Sequence, residues 1–186
     1  LSTSNPLPPG PISTSLLQSS IVISAPDENY ARILWDNDTD GTFELLPIEV
    51  NGKSLRYYAA TIGNPHCVIP VENANQALAM ELGSGLENHS NFPNRTNVQF
   101  LQIIDRNRIK IEIWERGAGY TLASGSSSSA AGAVARKMGA CDENIIVEMP
   151  GGEIGLLIDD EFNVQMTGPA TRVGTMELDK EYLEVS

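Results

Sequence analysis

Cysteine is scarce in this chain: two in 186 residues, Cys67 and Cys141, far apart in sequence. A disulfide framework is therefore not expected, and with His66 and His89 as the sole histidines no Cys/His spacing resembles a zinc site. Cations are scarce too. Twelve Lys+Arg stand against 24 Asp+Glu, giving a net charge of −12 and a pI near 4.5. No Lys/Arg cluster offsets that balance, so neither a nucleic-acid nor an anionic-membrane partner is expected. Long hydrophobic runs are missing. Ile145-Ile146-Val147 and Gly155-Leu156-Leu157-Ile158 fall far short of the roughly 20 residues of a membrane-spanning helix. No signal-peptide pattern opens the chain, which with the cysteine usage points to a reducing, cytoplasmic compartment. The first residue is Leu1 rather than Met, as expected of a processed or truncated product. Without a secretory signal, the Asn-x-Ser/Thr triplets beginning at Asn37, Asn88 and Asn94 read as chance matches.

What is present is an ordinary globular mixture, 41% hydrophobic and 19% charged, with 16 Gly and 11 Pro. Residues 1–20 are dominated by Ser, Thr and Pro without a periodic apolar face, and read as a tail or linker. Residues 21–186 read as one domain. Short runs rich in β-branched and aromatic residues predict strands at Ser20–Ser24, Tyr30–Trp35 and Thr42–Leu45, then at Leu55–Ile62, Cys67–Val71, Asn97–Ile104 and Ile109–Glu115. Arg106-Asn107 joins the last two as a hairpin. Further strands are expected at Ile145–Met149, Glu153–Ile158 and Asn163–Thr167.

Two helices stand out. Asn73–Gly83 carries Ala74, Leu78 and Leu82 at helical spacing, with Gly83 as its stop. The other, from about Gly125 to Gly139, is built almost wholly of small residues. Such a helix admits close neighbours on every side, so it is expected to lie buried with sheet wrapped around it. The fold class is α+β: a mostly antiparallel or mixed sheet curled around a central buried helix.

Asp36-Asn37-Asp38-Thr39-Asp40-Gly41 matches the opening of a calcium loop, but Pro47 stands where a bidentate Glu is needed. We read it as a polar turn and expect no metal. A more promising stretch is Gly117-Ala118-Gly119 followed by Ser124-Gly125-Ser126-Ser127-Ser128-Ser129. Gly and Ser entering a helix expose backbone N–H groups at its positive end, which suits a carboxylate or phosphate. A Ser-capped helix after a loop would look the same.

Gly63-Asn64-Pro65-His66-Cys67-Val68, Phe92-Pro93-Asn94-Arg95-Thr96-Asn97-Val98, Trp114-Glu115-Arg116-Gly117-Ala118-Gly119 and Met166-Thr167-Gly168-Pro169-Ala170 follow one another in that order. Together they resemble the diaminopimelate epimerase family, over roughly Leu46 to Ala170, and correspond to the second of its two pseudo-symmetric halves. The resemblance implies isomerisation of LL- to meso-diaminopimelate, in lysine biosynthesis, without a cofactor. Two cysteines, one from each half, would face each other across the α-carbon. Helix N-termini would hold the α-carboxylate and stabilise the developing carbanion. Carried over, Asn64, Asn97, Glu115 and Arg116 recognise substrate, Gly125 and Ser126 hold the carboxylate through their backbone, and His66 sits beside the reacting centre.

The departures matter as much. Ala123-Ser124-Gly125-Ser126-Ser127 stands where the family has Ala-Cys-Gly-Thr-Gly, so the expected catalytic thiol is the alcohol of Ser124. Tyr120 stands where Glu is usual. The first half, with its own cysteine, is not in this sequence, and neither Cys67 nor Cys141 aligns with a catalytic thiol. The isolated chain is accordingly expected to be inactive or very weak, Ser124 marking either an engineered Cys→Ser change or a divergent paralogue. Expected partners are a small amino-acid substrate and either a homo-oligomer mate or the missing half. The alternatives are a non-catalytic amino-acid- or partner-binding domain, or a racemase for another amino acid.

Overall fold

The computed structural model describes residues 43–171 and 173–174. The tail assigned to residues 1–20, the strands expected at Ser20–Ser24 and Tyr30–Trp35, and the Asp36–Gly41 turn lie outside them. The elements run β1 (Leu46–Val50), β2 (Lys53–Thr61), β3 (Pro65–Pro70), α1 (Gln76–Glu87), β4 (Asn97–Asp105), β5 (Arg108–Glu115), β6 (Gly119–Thr121), α2 (Gly125–Lys137), β7 (Asn144–Met149), β8 (Gly152–Ile158) and β9 (Val164–Thr167). The strands join in the order β1-β2-β3-β4-β5-β7-β8-β9, with β6 attached to β5.

Most neighbours are antiparallel, but β3 pairs with β4, and β5 with β7, in parallel. Parallel neighbours need a crossover connection. Helix α1 supplies the first and α2 the second, and they cover opposite faces of the sheet. Val68, Leu101, Ile109, Ile111 and Ile113 pack with α2, whereas Cys67, Ile69, Val98 and Phe100 pack with α1. Side chains alternate between faces along a strand. On β3 and β4 this sends His66, Asn97 and Gln99 to the side of Val68 and Leu101, the α2 side. The mixed α+β architecture expected from the sequence is the one observed.

Helix α2 is buried from Ser127 through Ala135. Gly132 shows how close the sheet comes: a Cβ there would lie 2.4 Å from Leu156 Cδ1. The buried serines do not leave their hydroxyls unpaired. Ser128 donates to the Ser124 carbonyl at 2.8 Å and Ser129 to the Gly125 carbonyl at 2.9 Å, while Ser127 accepts from Gln99. Bonding back by one turn lets a polar residue sit in a core at small cost.

Three expectations need correction. Helix α1 begins later and runs further than Asn73–Gly83: Asn75 caps its start by accepting from Leu78 N–H at 3.0 Å, and it continues to Glu87. Gly83 is therefore no stop. A Cβ there would fall 2.4 Å from Trp114 Cδ2, so Gly is present because the indole lies flush against the helix. Thr42–Leu45 is not a strand within residues 43–45; the pairing starts at Leu46, against Tyr57. Strands β1 and β6 were not anticipated.

Replacing Gly83 by Ala weighs two opposed effects. Helix propensity gains about 1 kcal/mol, but forcing a methyl into the Trp114 ring costs about 1–3 kcal/mol. The indole is tethered beside Gly83 by its bond to Glu87, four residues along the same helix, so the clash wins. Urea denaturation of Gly83→Ala should show a net loss of about 1 kcal/mol or more; a stabilised variant would show that Trp114 is free to move aside.

Candidate active site

The four sequence motifs meet at the end of the sheet where α2 begins. Parallel pairing sets His66 of β3 opposite Asn97 of β4. Asn97, which is buried, then fastens two loops: its Nδ2 donates to the Pro65 carbonyl at 3.0 Å, and its Oδ1 accepts from Arg116 N–H at 3.0 Å. Two residues along the same face, Gln99 Nε2 donates to Ser127 Oγ at 3.0 Å, tying β4 to the first turn of α2. The fourth motif closes the group, since a Cβ on Gly125 would meet Met166 Cε at 2.9 Å.

Ser124 is the N-cap of α2, with extended backbone (φ −157°, ψ 123°) and an Oγ accepting from Ser127 N–H at 3.4 Å. Its other polar neighbour is Ser126 Oγ at 3.3 Å. Among the described residues no carboxylate or imidazole is hydrogen-bonded to Ser124. Gly125 and Ser126 are half-buried beside it, at the positive end of a 13-residue helix with no acidic residue in its first turn.

His66 is almost wholly buried, with Nε2 3.1 Å from Asn64 Oδ1. Burial pushes its pKa down to about 4, the Gln99 side chain opposing that shift and the charge of Arg116 adding to it. No hydrogen bond of good geometry joins it to Gln99, and His66 Nδ1 and Gln99 Oε1 are both buried without a partner. His66 is thus neutral at pH 7. The cysteines are no substitutes for a base: burial raises the Cys67 thiol far above its usual range, and Cys141 is pushed up to about 11, mainly by burial.

The Glu115–Arg116 pair sits at the end of β5. Arg116 is exposed, its Nη1 donating to the Asn94 carbonyl at 3.2 Å, and Glu115 is half-buried without a hydrogen bond to its carboxylate among the described residues. Tyr120, across the turn, donates to Glu112 Oε2 at 2.7 Å; burial, then this carboxylate, push its pKa up to about 12. Glu112 is itself buried. A Glu at position 120 would set a second carboxylate against the buried Glu112, whereas Tyr120 gives it a donor.

Residues 58–173 match the sequence pattern of the diaminopimelate epimerase family. The chain belongs to that family. It is 55% identical over 129 residues to diaminopimelate epimerase 2 of Nostoc sp., covering 69% of this chain and 45% of that protein. Identity is 43% over 127 residues to diaminopimelate epimerase of Azotobacter vinelandii, covering 68% and 46%. The chain therefore spans about half the length of the curated diaminopimelate epimerases it matches. Among solved structures, a probable proline racemase from Agrobacterium radiobacter K84 shares the fold at TM-score 0.54 and 13% identity, covering 75% of this chain and 51% of that one. Methylitaconate-delta-isomerase does so at 0.50 and 8%, covering 84% and 65%.

Sequence reasoning missed Gln99 and Glu87. Gln99 could have been found, because it lies two residues from Asn97 on one strand face. Glu87 could not, because the helix was ended at Gly83.

The His66 shift sets a pH dependence. An imidazole whose pKa is lower folded than unfolded takes up its proton more readily in the unfolded chain, so stability is intact above about 6.5 and falls as pH drops toward 4. The full loss is about 3 kcal/mol. Thermal melts of wild type and His66→Gln from pH 7.5 to 4 should show the shallower decline in the variant; parallel curves would exclude His66 as the source.

Proposed function

We propose that this chain forms the carboxylate-holding half of a diaminopimelate-epimerase site, and that residues 21–186 constitute that half with residues 1–20 as a tail. The observation that carries this reading is that β3 and β4, in register at His66 and Asn97, hold the motif loops through Asn97 and the first turn of α2 through the Gln99–Ser127 bond, with Met166 against Gly125. Backbone N–H groups of Gly125 and Ser126 would receive the α-carboxylate, and the helix dipole would stabilise charge spreading into it as the α-proton leaves. Asn64, Asn97, Glu115 and Arg116 would read the rest of the substrate, and His66 would sit neutral beside the reacting carbon. No cofactor enters the scheme, and the compartment would be the cytoplasm.

Proton abstraction needs a base matched to the working pH. A helix N-terminus lowers a cysteine pKa from about 8.5 into the neutral range. An alcohol starts far higher, and among the described residues no base is hydrogen-bonded to Ser124 to activate it. Ser124 therefore favours binding without turnover for the isolated chain. A full reaction would need a thiol here and an opposing one from a second half. The exposed Leu122, at 58% exposure, and Ala123 beside the α2 start suit a surface that such a half, or a second copy, would cover.

Binding and chemistry should then separate. Diaminopimelate is expected to bind weakly at the α2 start, with no deuterium entering the α-position from D₂O. Ser124→Cys should create a thiol with a pKa lowered by about one unit or more, read from the pH dependence of iodoacetamide labelling. α-Hydrogen exchange by NMR should appear only when this variant is mixed with a first-half domain. Rapid exchange by the unmodified chain alone would overturn the reading.

A further inference from the structure

We propose that Glu87 is a positioning residue for the Glu115–Arg116 pair, so that helix α1, on the far face of the sheet, sets the recognition end of the site. The inference rests on the reading of the site given above. Glu87 ends α1 and is 5% exposed. A carboxylate in a last helical turn opposes the helix dipole, and burying it is costly unless it is fully hydrogen-bonded. Its retention there calls for partners, and they are specific. Oε1 accepts from Gly117 N–H at 2.8 Å and from Arg95 Nη1 at 3.0 Å, and Oε2 accepts from Trp114 Nε1 at 2.8 Å.

Trp114 immediately precedes Glu115, and Gly117 immediately follows Arg116. One carboxylate thus fixes both flanks of the pair, while Asn97 Oδ1 holds its middle at Arg116 N–H. Arg95 reaches Glu87 from a left-handed backbone (φ 60°), and the next residue but one is Asn97 itself. Gly117 also needs its positive φ of 81° to turn its N–H toward the carboxylate. The two reading side chains lose nothing to this clamp: among the described residues the Glu115 carboxylate takes no part, and the Arg116 guanidinium bonds only the Asn94 carbonyl. All of Glu87's partners are donors. An amide in its place would turn an NH₂ toward at least one of them.

The test uses the full chain, ¹⁵N-labelled, as wild type, Glu87→Gln, Glu87→Asp and Ile145→Val, the last mildly destabilised in the α2 core. Amide exchange at Gly117, the Trp114 indole resonance and the dissociation constant for meso-diaminopimelate are read together. Glu87→Gln should speed Gly117 exchange and weaken diaminopimelate binding, each by roughly tenfold or more, with the indole signal shifted and exchange in β7–β9 unchanged. Ile145→Val should leave the Gly117 and indole readouts alone. If Glu87→Gln does not fold, Glu87→Asp, which keeps the charge and loses the reach, carries the same expectation. Gly117 exchange equal to wild type in the folded variant overturns the inference, and so does unchanged diaminopimelate affinity where wild type binds. Should wild type bind no diaminopimelate while Gly117 exchange still accelerates, the positioning role stands and the functional reading of the site falls.

Discussion

Close approach of the sheet to α2 is the constraint on which the molecule depends. Helix α2 crosses the interior with neighbours on most sides, so its middle can carry nothing larger than Val134. Leu156 and Ile158 fill the space that its side chains leave. A helix so placed cannot shift by even a methyl group without opening a void or a clash, because protein interiors are packed to crystal-like density. Its first turn is thereby held rigidly in front of the β3 and β4 termini. A preorganised dipole is useful only when it does not reorient in response to charge.

The polar side of the design is economical. Asn97, Gln99 and Glu87 each bridge separate segments, and together they join both helices to three strand ends. The arrangement is two-sided: α2 is fastened through Gln99 on one face and α1 through Glu87 on the other. The sheet between them transmits position rather than charge. Of the buried polar side-chain atoms without a partner among the described residues, His66 Nδ1 and Gln99 Oε1 lie at the junction of β3, β4 and α2, and Thr121 Oγ1 at the end of β6.

How much of this was legible beforehand follows from what local patterns encode. Helix α2 could be read because its small-residue run has no strand-like alternation, and β4 and β5 because their β-branched runs flank an obvious turn. The site motifs were legible as a set through order along the chain, which fixes identity but not contact. Strand β6 was hidden because Gly119-Tyr120-Thr121 is short and paired on one side only. The end of α1 was misplaced because a glycine looks the same in sequence whether it stops a helix or admits an indole. Glu87 illustrates the larger limit: three of its bonds span 8, 27 and 30 residues, and no window of sequence contains them.

The Tyr120–Glu112 bond makes two positions of the chain depend on each other. Across the β5–β6 ladder Tyr120 stands opposite Trp114, and its hydroxyl reaches diagonally to the buried Glu112 two residues along β5, giving that carboxylate a donor. An acidic residue at 120 would set its charge against Glu112, and an apolar residue at 112 would leave the Tyr120 hydroxyl without its acceptor. Contacting residues do not contribute independently, so substitutions at these two positions are coupled. Reading position 120 without position 112 leaves out half of one interaction.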